Sequence, residues 1–323
     1  MAVKKVIRRR KPQGKGKQVG KRAGAKATSA PTPSFPGLPT ERKEVETELL
    51  RYTGLIYARE KFGKTTYLAS FPEMLFLTTE PGTKGLSIYE YNAEDGGCRN
   101  WALVRAAVDL LEKTKEFKCV CFDTVDRAYD MCLDWVCKTR NIEYPGTDEY
   151  GQQDYGKSWK AVKQEFLSIV HRILQTGRGL YFTSHAREQE IKTRSGDKYT
   201  RIYPTMSNQA RAVVEALVDF FFYGEYMRAP DGSTKRVLIT EGDEVVWAGA
   251  REIGQPLPRF IPMTARGGYD ILQAAFDGED VGLDPETLLP RRSATPAIKK
   301  FFAQARVSKP AAKPRKKISR RKA

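Results

Sequence analysis

The sequence has 323 residues, 40% of them hydrophobic, which is enough apolar material for one sizeable folded core. No run of about 18 apolar residues occurs, and the basic start lacks the apolar segment of a secretory signal, so neither a membrane span nor secretion is expected. Five cysteines without a C-x-x-C pair and only two histidines argue against a disulfide framework or a Cys/His zinc site. They favour reduced thiols in the cytoplasm.

The net charge of +17 is unevenly distributed along the chain. Residues 1–28 contain 11 Lys and Arg, and residues 291–323 contain 13, with no acidic residue in either segment. The sequence therefore predicts disordered basic tails at 1–40 and 286–323 around a folded domain at 41–285. The tails are expected to attract nucleic-acid phosphates, with a solubilising or targeting role as the alternative.

Between the tails, short apolar strands alternate with amphipathic helices. In chain order the pattern predicts a strand at 52–57, a helix at 64–71, a strand at 74–78, a helix at 101–114, a strand at 117–122, a helix reaching residue 135, a helix at 157–176, a strand at 179–183, a helix at 207–217, and strands at 218–223, 235–240 and 244–248. This alternation is typical of an α/β fold with a mainly parallel sheet and helices on both faces. Such sheets bind ligands at the carboxyl ends of their strands.

The segment AREKFGKTT, from Ala58 to Thr66, lies between the first strand and the first helix. It matches the phosphate-loop pattern G-x-x-x-x-G-K-[ST], with Ala58 in place of the first glycine. Gly63 allows the backbone to curl around a phosphate, Lys64 reaches the β- and γ-phosphates, and Thr65 offers a hydroxyl to Mg²⁺. Thr66 continues the helix N-terminus, which attracts anions. The segment therefore predicts ATP and Mg²⁺ as ligands, and the alternative is a chance Gly-Lys-Thr at a turn.

Polar residues follow three later strands. Asp123 ends an apolar strand, as in a Walker B motif, and is expected to hold Mg²⁺, with helix capping as the alternative. Asp126 is expected on a helix surface. Glu80 could orient or deprotonate the attacking water, or could simply form a turn. For His185 the spacing alone favours a structural role over contact with the γ-phosphate.

In their order these parts resemble the RecA-like P-loop ATPases, and within them the phage-encoded AAA-type ATPases of the Sak kind, which act in annealing and recombination. The stretches LIYAREKFGKTTYLASFPEMLFLTTEPGTKGL, KCVCFDTVD and GLYFTSHAREQEI carry the resemblance, which covers residues 50–225. It implies that Glu80 activates water and that His185 senses the γ-phosphate. It also implies a homo-oligomeric ring or filament in the cytoplasm of a bacterial host. Arg251 or Arg266 would be its arginine finger, with an ordinary surface arginine as the alternative.

In RecA-like proteins a flexible DNA-binding loop follows the sensor, and residues 187–206 occupy that position. Their cations alternate with aromatic residues, which suits single-stranded DNA because phosphates pair with cations and bases stack on rings. The candidate contacts are Arg187, Lys192, Arg194, Lys198, Tyr199 and Arg201. A solvated β-hairpin around residues 195–197 is the alternative.

The whole sequence predicts a DNA-dependent ATPase that binds Mg-ATP and single-stranded DNA in phage recombination, annealing or repair. A single-strand-binding protein is a further expected partner. Two alternatives stay open. One is a nucleic-acid-binding protein for annealing or packaging whose nucleotide site is not catalytic, and the other is an ATPase of the helicase-loader type.

Overall fold

The structure is a computed structural model that describes residues 38–252, 255–264, 266–291, 293–296 and 298–299. The chain divides into two units, residues 1–44 and 45–323. Within the first unit, residues 38–44 are exposed and form no helix or strand. The predicted basic tails fall mainly on residues 1–37 and 300–323, which lie outside the described residues.

The second unit is built around a sheet in which the described residues form ten strands. These strands are β1 (Thr53–Ala58), β2 (Met74–Thr78), β3 (Tyr89–Glu90), β4 (Cys119–Asp123), β5 (Gly179–Lys192), β6 (Lys198–Pro204), β7 (Phe220–Arg228), β8 (Thr234–Ile239), β9 (Gly249–Ala250) and β10 (Phe260–Pro262). The α-helices are α1 (Lys64–Leu68), α2 (Trp101–Leu111), α3 (Val125–Arg140), α4 (Lys157–Gln175), α5 (Asn208–Leu217) and α6 (Gly268–Phe276). Two 3-10 helices span Leu49–Arg51 and Ala93–Asp95.

The order along the sheet is β10-β8-β7-β1-β5-β4-β2-β3. The strands from β7 to β3 in this order are parallel to one another, and β8 and β10 extend the sheet in antiparallel fashion. Because parallel strands end at the same edge, the pairs Ala58–His185 and Thr78–Asp123 bring their residues together there. The predicted mainly parallel α/β sheet is confirmed.

Helices cover both faces of the sheet. Along β1, Leu55 and Tyr57 point into a core formed with α2, α3, α4 and α5. Their neighbours Ile56 and Ala58 point into a second core formed with α1 and α6. A strand buried on both faces must be apolar at every position, which explains why β1 reads as a continuous apolar run rather than an alternating one.

Two segments differ from the sequence-based expectation. The segment implied to be a flexible loop at 187–206 is instead a hairpin, in which β5 continues to Lys192 and pairs with β6. The hairpin alternative is thus the observed structure. The predicted strand at 244–248 is wrong, because Oδ1 of Asp243 accepts hydrogen bonds from the backbone N–H groups of Val245 and Val246 and holds the chain in a turn.

The folded unit extends past the predicted boundary at residue 285. Ala294 and Ile298 are both 2% exposed and belong to the core that contains α1 and α6. These two apolar residues lie in a basic segment that was expected to be a tail. Because they are buried, this part of the segment belongs to the folded unit. In the part of the chain that the structure describes, every helix is too short or too polar to traverse a bilayer.

Candidate nucleotide-binding site

The loop between β1 and α1 has the geometry of a phosphate loop. Gly63 caps α1 in a left-handed conformation, with φ of 104°. A Cβ atom at this position would lie 2.7 Å from Nη1 of Arg236, the mobile end of a side chain, so it is the left-handed conformation that favours glycine. Ala58 is an ordinary extended residue at the end of β1. The departure from glycine at this position therefore introduces no backbone strain.

The bulky middle of the loop is anchored to the antiparallel side of the sheet. Phe62 is 1% exposed and contacts Tyr226 edge-on, with 4.8 Å between ring centres. Its ring fills the space above Gly224, where a Cβ atom would lie 2.4 Å from Cε1 of Phe62. Nη1 of Arg236 also donates a hydrogen bond to the Phe62 carbonyl at 3.1 Å. No local sequence pattern predicts these supports, because β7 and β8 lie far along the chain.

Lys64 is a buried cation whose ammonium group donates to two backbone carbonyls. Its side chain donates to the carbonyls of Ala58 at 3.2 Å and Arg59 at 3.3 Å, and the residue is only 6% exposed. Burial lowers the pKa of Lys64, while the nearby carboxylates, Asp123 first among them, act to raise it. Lys64 forms no ion pair among the described residues, so its charge is available to an anionic ligand.

Thr65 and Asp123 place a hydroxyl and a carboxylate side by side. Oγ1 of Thr65 donates to Oδ2 of Asp123 at 2.7 Å, and Thr183 donates to the other carboxylate oxygen. Asp123 lies outside α3, whose N-cap is Thr124, so it does not cap that helix. Paired oxygen ligands beside an anion-binding loop fit Mg²⁺, which prefers few protein ligands together with phosphate oxygens. Among the described residues, no group of three or more His, Cys, Asp or Glu is arranged to hold a metal ion.

Glu80 and His185 lie at the far side of the same site. Nδ1 of His185 is 3.3 Å from Nζ of Lys64, and its Nε2 is 3.4 Å from Oε2 of Glu80. The hydroxyl of Thr124 donates to Oε1 of Glu80 at 2.9 Å. The three predicted catalytic residues, Lys64, Glu80 and His185, are therefore brought together in one connected group.

These residues surround a pocket of about 710 Å³, a volume suited to a nucleotide. The pocket is lined by Glu60, Lys61, Gly63, Lys64, Thr65, Thr66, Glu80, Pro81, Gly82, Gly85, Leu86, Asp123, Thr124 and His185. Of the predicted nucleotide-binding residues, only Ala58 is absent from the lining, because its side chain points into the core.

Asp126 is not the surface residue that its sequence position suggested. Its Oδ1 accepts hydrogen bonds from Ser184 at 3.0 Å and from Thr205 at 2.5 Å. Burial raises the pKa of Asp126, although the hydrogen bonds from Thr205 and Ser184 act to lower it. Asp126 thus joins β5 to the chain just after β6, where the backbone N–H of Thr205 also donates to the carbonyl of His185.

The six candidate nucleic-acid contacts all belong to the hairpin β5–β6, whose base adjoins His185. The two arginine-finger candidates lie apart. Arg251 donates to Ala216 and Asp219 of its own chain, near the start of β1 at the opposite edge of the sheet from Lys64. Arg266 is exposed after β10, which runs in the same direction as β1 and ends at the phosphate-loop edge.

The fold and the site together define a P-loop ATPase with the RecA-like strand order, in which β5 lies between the phosphate-loop strand β1 and the Asp123 strand β4. Residues 50–252 match the AAA domain family, and the chain belongs to that family. Among solved structures, it is similar to a KaiC-like protein from the hyperthermophilic archaeon Pyrococcus horikoshii OT3. The TM-score is 0.33 at 13% sequence identity, over 63% of this chain and 86% of that chain. No curated protein matches the chain in sequence.

Proposed function

We propose that the protein is a DNA-dependent ATPase that hydrolyses Mg-ATP and thereby changes its hold on single-stranded DNA. The observation that carries the proposal is the continuity of β5. Thr183 and His185 contact the nucleotide site, and the next residue, Ala186, begins the hairpin by pairing with Pro204. A displacement of His185 therefore moves the base of the hairpin, because both belong to one strand. The resemblance supports recombination, annealing or repair of phage DNA as the setting.

Lys64 is the residue that binds the phosphate oxygens. In the structure its ammonium group donates to two backbone carbonyls, and a triphosphate would offer anionic oxygens, which form stronger hydrogen bonds. The left-handed Gly63 and the N-terminus of α1 add backbone N–H groups to the same site. Thr65 and Asp123 would hold Mg²⁺, which when bound would supply positive charge to neutralise the phosphate oxygens.

Glu80 orients the attacking water and accepts its proton. Thr124 fixes one oxygen of the Glu80 carboxylate by a hydrogen bond, and His185 lies beside the other. Because His185 also lies next to Lys64, it connects the water-activating carboxylate with the phosphate-binding lysine. This position suits a residue that responds to the presence of the γ-phosphate.

The hairpin β5–β6 supplies the surface for the single strand. Arg187 and Arg194 are exposed and form no ion pair within the described part of the chain. Tyr199 and Tyr203 offer rings on which bases stack without regard to sequence. A single-strand-binding protein, and a ring or filament of further copies, are proposed as partners from the resemblance alone.

The test is an ATPase assay with and without single-stranded DNA. Wild type should hydrolyse ATP faster when DNA is added, and Lys64→Ala should reduce hydrolysis to background. Lys138→Ala, which removes an exposed lysine near the end of α3, is the matched control. Hydrolysis that survives Lys64→Ala rejects the site. Hydrolysis indifferent to DNA rejects the coupling, and DNA binding without hydrolysis favours the alternative of an annealing protein.

A further inference from the structure

The two faces of the hairpin β5–β6 differ in chemistry. Residues paired across an antiparallel ladder point to the same face, and successive residues alternate. One face, here called the arginine face, carries three cross-strand pairs, which are Arg187–Tyr203, Gln189–Arg201 and Ile191–Tyr199. The opposite face carries Glu188–Ile202, Glu190–Thr200 and Lys192–Lys198. The candidate cations of the sequence are therefore divided between two surfaces.

The opposite face carries carboxylates, and these engage nearby cations. Lys198 forms an ion pair with Glu190 at 2.8 Å, and Glu188 forms one with Arg59 of the phosphate loop at 3.1 Å. The arginine face has no acidic residue. A polyanionic strand would be repelled by the glutamates on one side and attracted on the other, so the charge distribution selects the arginine face.

The arginine face ends in a cluster with an unusual surplus of cations. The guanidinium carbon of Arg201 lies 5.4 Å from the ring centre of Tyr203, and that of Arg211, on α5, lies 4.7 Å from the same centre. Neither arginine forms an ion pair with any residue that the structure describes. Two like charges held near one ring without a carboxylate repel each other.

Hydrogen-bond donors in this cluster lack acceptors. Nε of Arg201 and Nη1 of Arg211 are buried without a partner. Among the described residues, the side chain of Arg201 donates no hydrogen bond, and the side chain of Arg211 donates only one, to Oδ1 of Asn208 at 3.3 Å. Guanidinium groups match phosphate oxygens in shape and charge, so an anionic phosphodiester would neutralise the cluster and offer acceptors to its guanidinium groups.

We propose that Arg201, Tyr203 and Arg211 form a phosphodiester-binding site, and that a single DNA strand follows the arginine face from this site past Tyr199. The site deepens the function proposed above and rests on it. Arg211 was not among the DNA contacts predicted from the sequence, because it lies on a helix outside the hairpin. Lys192 and Lys198, which were candidates, lie on the opposite face.

The test compares two double variants that each remove two positive charges from the full-length chain. One is Arg201→Ala with Arg211→Ala, and the matched control is Lys192→Ala with Lys198→Ala. Binding of a labelled oligothymidylate is measured by fluorescence anisotropy over a range of salt concentrations. The basic tails are present in both proteins, so their contribution cancels from the comparison.

The arginine variant should lose affinity about tenfold or more at 0.1 M salt, and its slope of log K against log[salt] should flatten by about 1.4, the value for two phosphate contacts on a single strand. The lysine variant should stay within about twofold of wild type. A third protein, Arg201→Lys with Arg211→Lys, guards against misfolding. It should keep the wild-type salt slope yet bind more weakly, because an ammonium group keeps the charge but lacks the paired donors of a planar guanidinium.

Two further outcomes separate this site from the proposed function. If wild type binds the oligothymidylate and the two alanine variants behave alike, the arginine site is refuted while the DNA-dependent ATPase stands. If wild type does not bind the oligothymidylate with or without ATP, the proposed function fails, and the site fails with it. Thermal melting shows whether a variant is unfolded. If the arginine-to-alanine variant is unfolded, the affinity and salt slope of Arg201→Lys with Arg211→Lys decide the test.

Discussion

Oγ1 of Thr65 donates a hydrogen bond to Oδ2 of Asp123 at 2.7 Å, although 58 positions separate the two residues in the chain. The contact exists because β5 lies between β1 and β4, and all three strands end at the same edge of the sheet. It brings the first turn of α1, which offers the hydroxyl, next to the carboxylate that ends β4. This arrangement is the basis for assigning a magnesium nucleotide to the site.

Glu80→Gln should separate ATP binding from hydrolysis. The amide keeps the hydrogen bond from Thr124 but cannot accept a proton from water. We expect kcat to fall by about 100-fold or more, the usual contribution of a general base, while ATP still binds. Single-turnover hydrolysis and nucleotide binding measure the two effects. Hydrolysis at the wild-type rate would exclude Glu80 as the water-activating residue.

Gly63→Ala should destabilise the phosphate loop. The new methyl group would lie 2.7 Å from Nη1 of Arg236, in a backbone conformation that costs an L-residue about 1–2 kcal/mol. Gly82→Ala is the matched control for stability, because a Cβ there meets nothing within 4 Å and its φ is not left-handed. Urea unfolding should show a loss of stability for Gly63→Ala and none for Gly82→Ala. Equal stabilities of the two variants would contradict the assigned geometry.

Asp126→Asn should reveal the cost of a buried charge. Burial raises the pKa of Asp126 above its ordinary value of 3.8, so the folded state binds a proton more tightly than the unfolded state. The carboxylate therefore contributes less stability as pH rises from about 3.8 through the raised pKa. Asparagine stays neutral and still offers an oxygen to Ser184 and Thr205. Its urea midpoint should exceed that of wild type at neutral pH, and the difference should shrink in acid; a constant difference would refute this.

Arg266→Ala tests whether a neighbouring copy completes the site. If Arg266 acts in trans, Arg266→Ala and Lys64→Ala should each be inactive alone. A mixture of the two should regain activity, because one type of interface then combines an intact Lys64 with an intact Arg266. Arg251→Ala is the control, since this guanidinium is bonded within its own chain. Failure of the mixture to regain activity would remove Arg266 from the mechanism.

Local patterns explain which parts of the site were predictable. The phosphate loop is one continuous segment between a strand and a helix, and Asp123 directly follows an apolar strand, so residue types and spacing were sufficient. The role of Asp126 depends on Thr205, 79 positions later. The anchoring of Phe62 depends in the same way on Gly224 and Arg236. Such partners come into contact only when the sheet folds, so no local sequence pattern predicts them.

The hairpin was predicted only as the alternative to a flexible loop, for a different reason. The outer part of β5 is exposed on both faces, so its sequence, AREQEIK, lacks the apolar alternation by which strands are recognised. Its strand structure comes from the backbone ladder with β6 rather than from burial. By contrast, Ala294 and Ile298 were assigned to a tail because the surrounding cations outweighed two apolar residues in a count of composition.

The most direct test of the account is calorimetric titration of wild type, Lys64→Ala and Asp123→Asn with ATP, in the presence and absence of Mg²⁺. Wild type should bind ATP saturably and more tightly with Mg²⁺ than without it. Lys64→Ala should bind at least about 100-fold more weakly, and Asp123→Asn should lose the benefit of Mg²⁺. Folded wild type that takes up no ATP, or Lys64→Ala that binds ATP as wild type does, would contradict the assignment of this site.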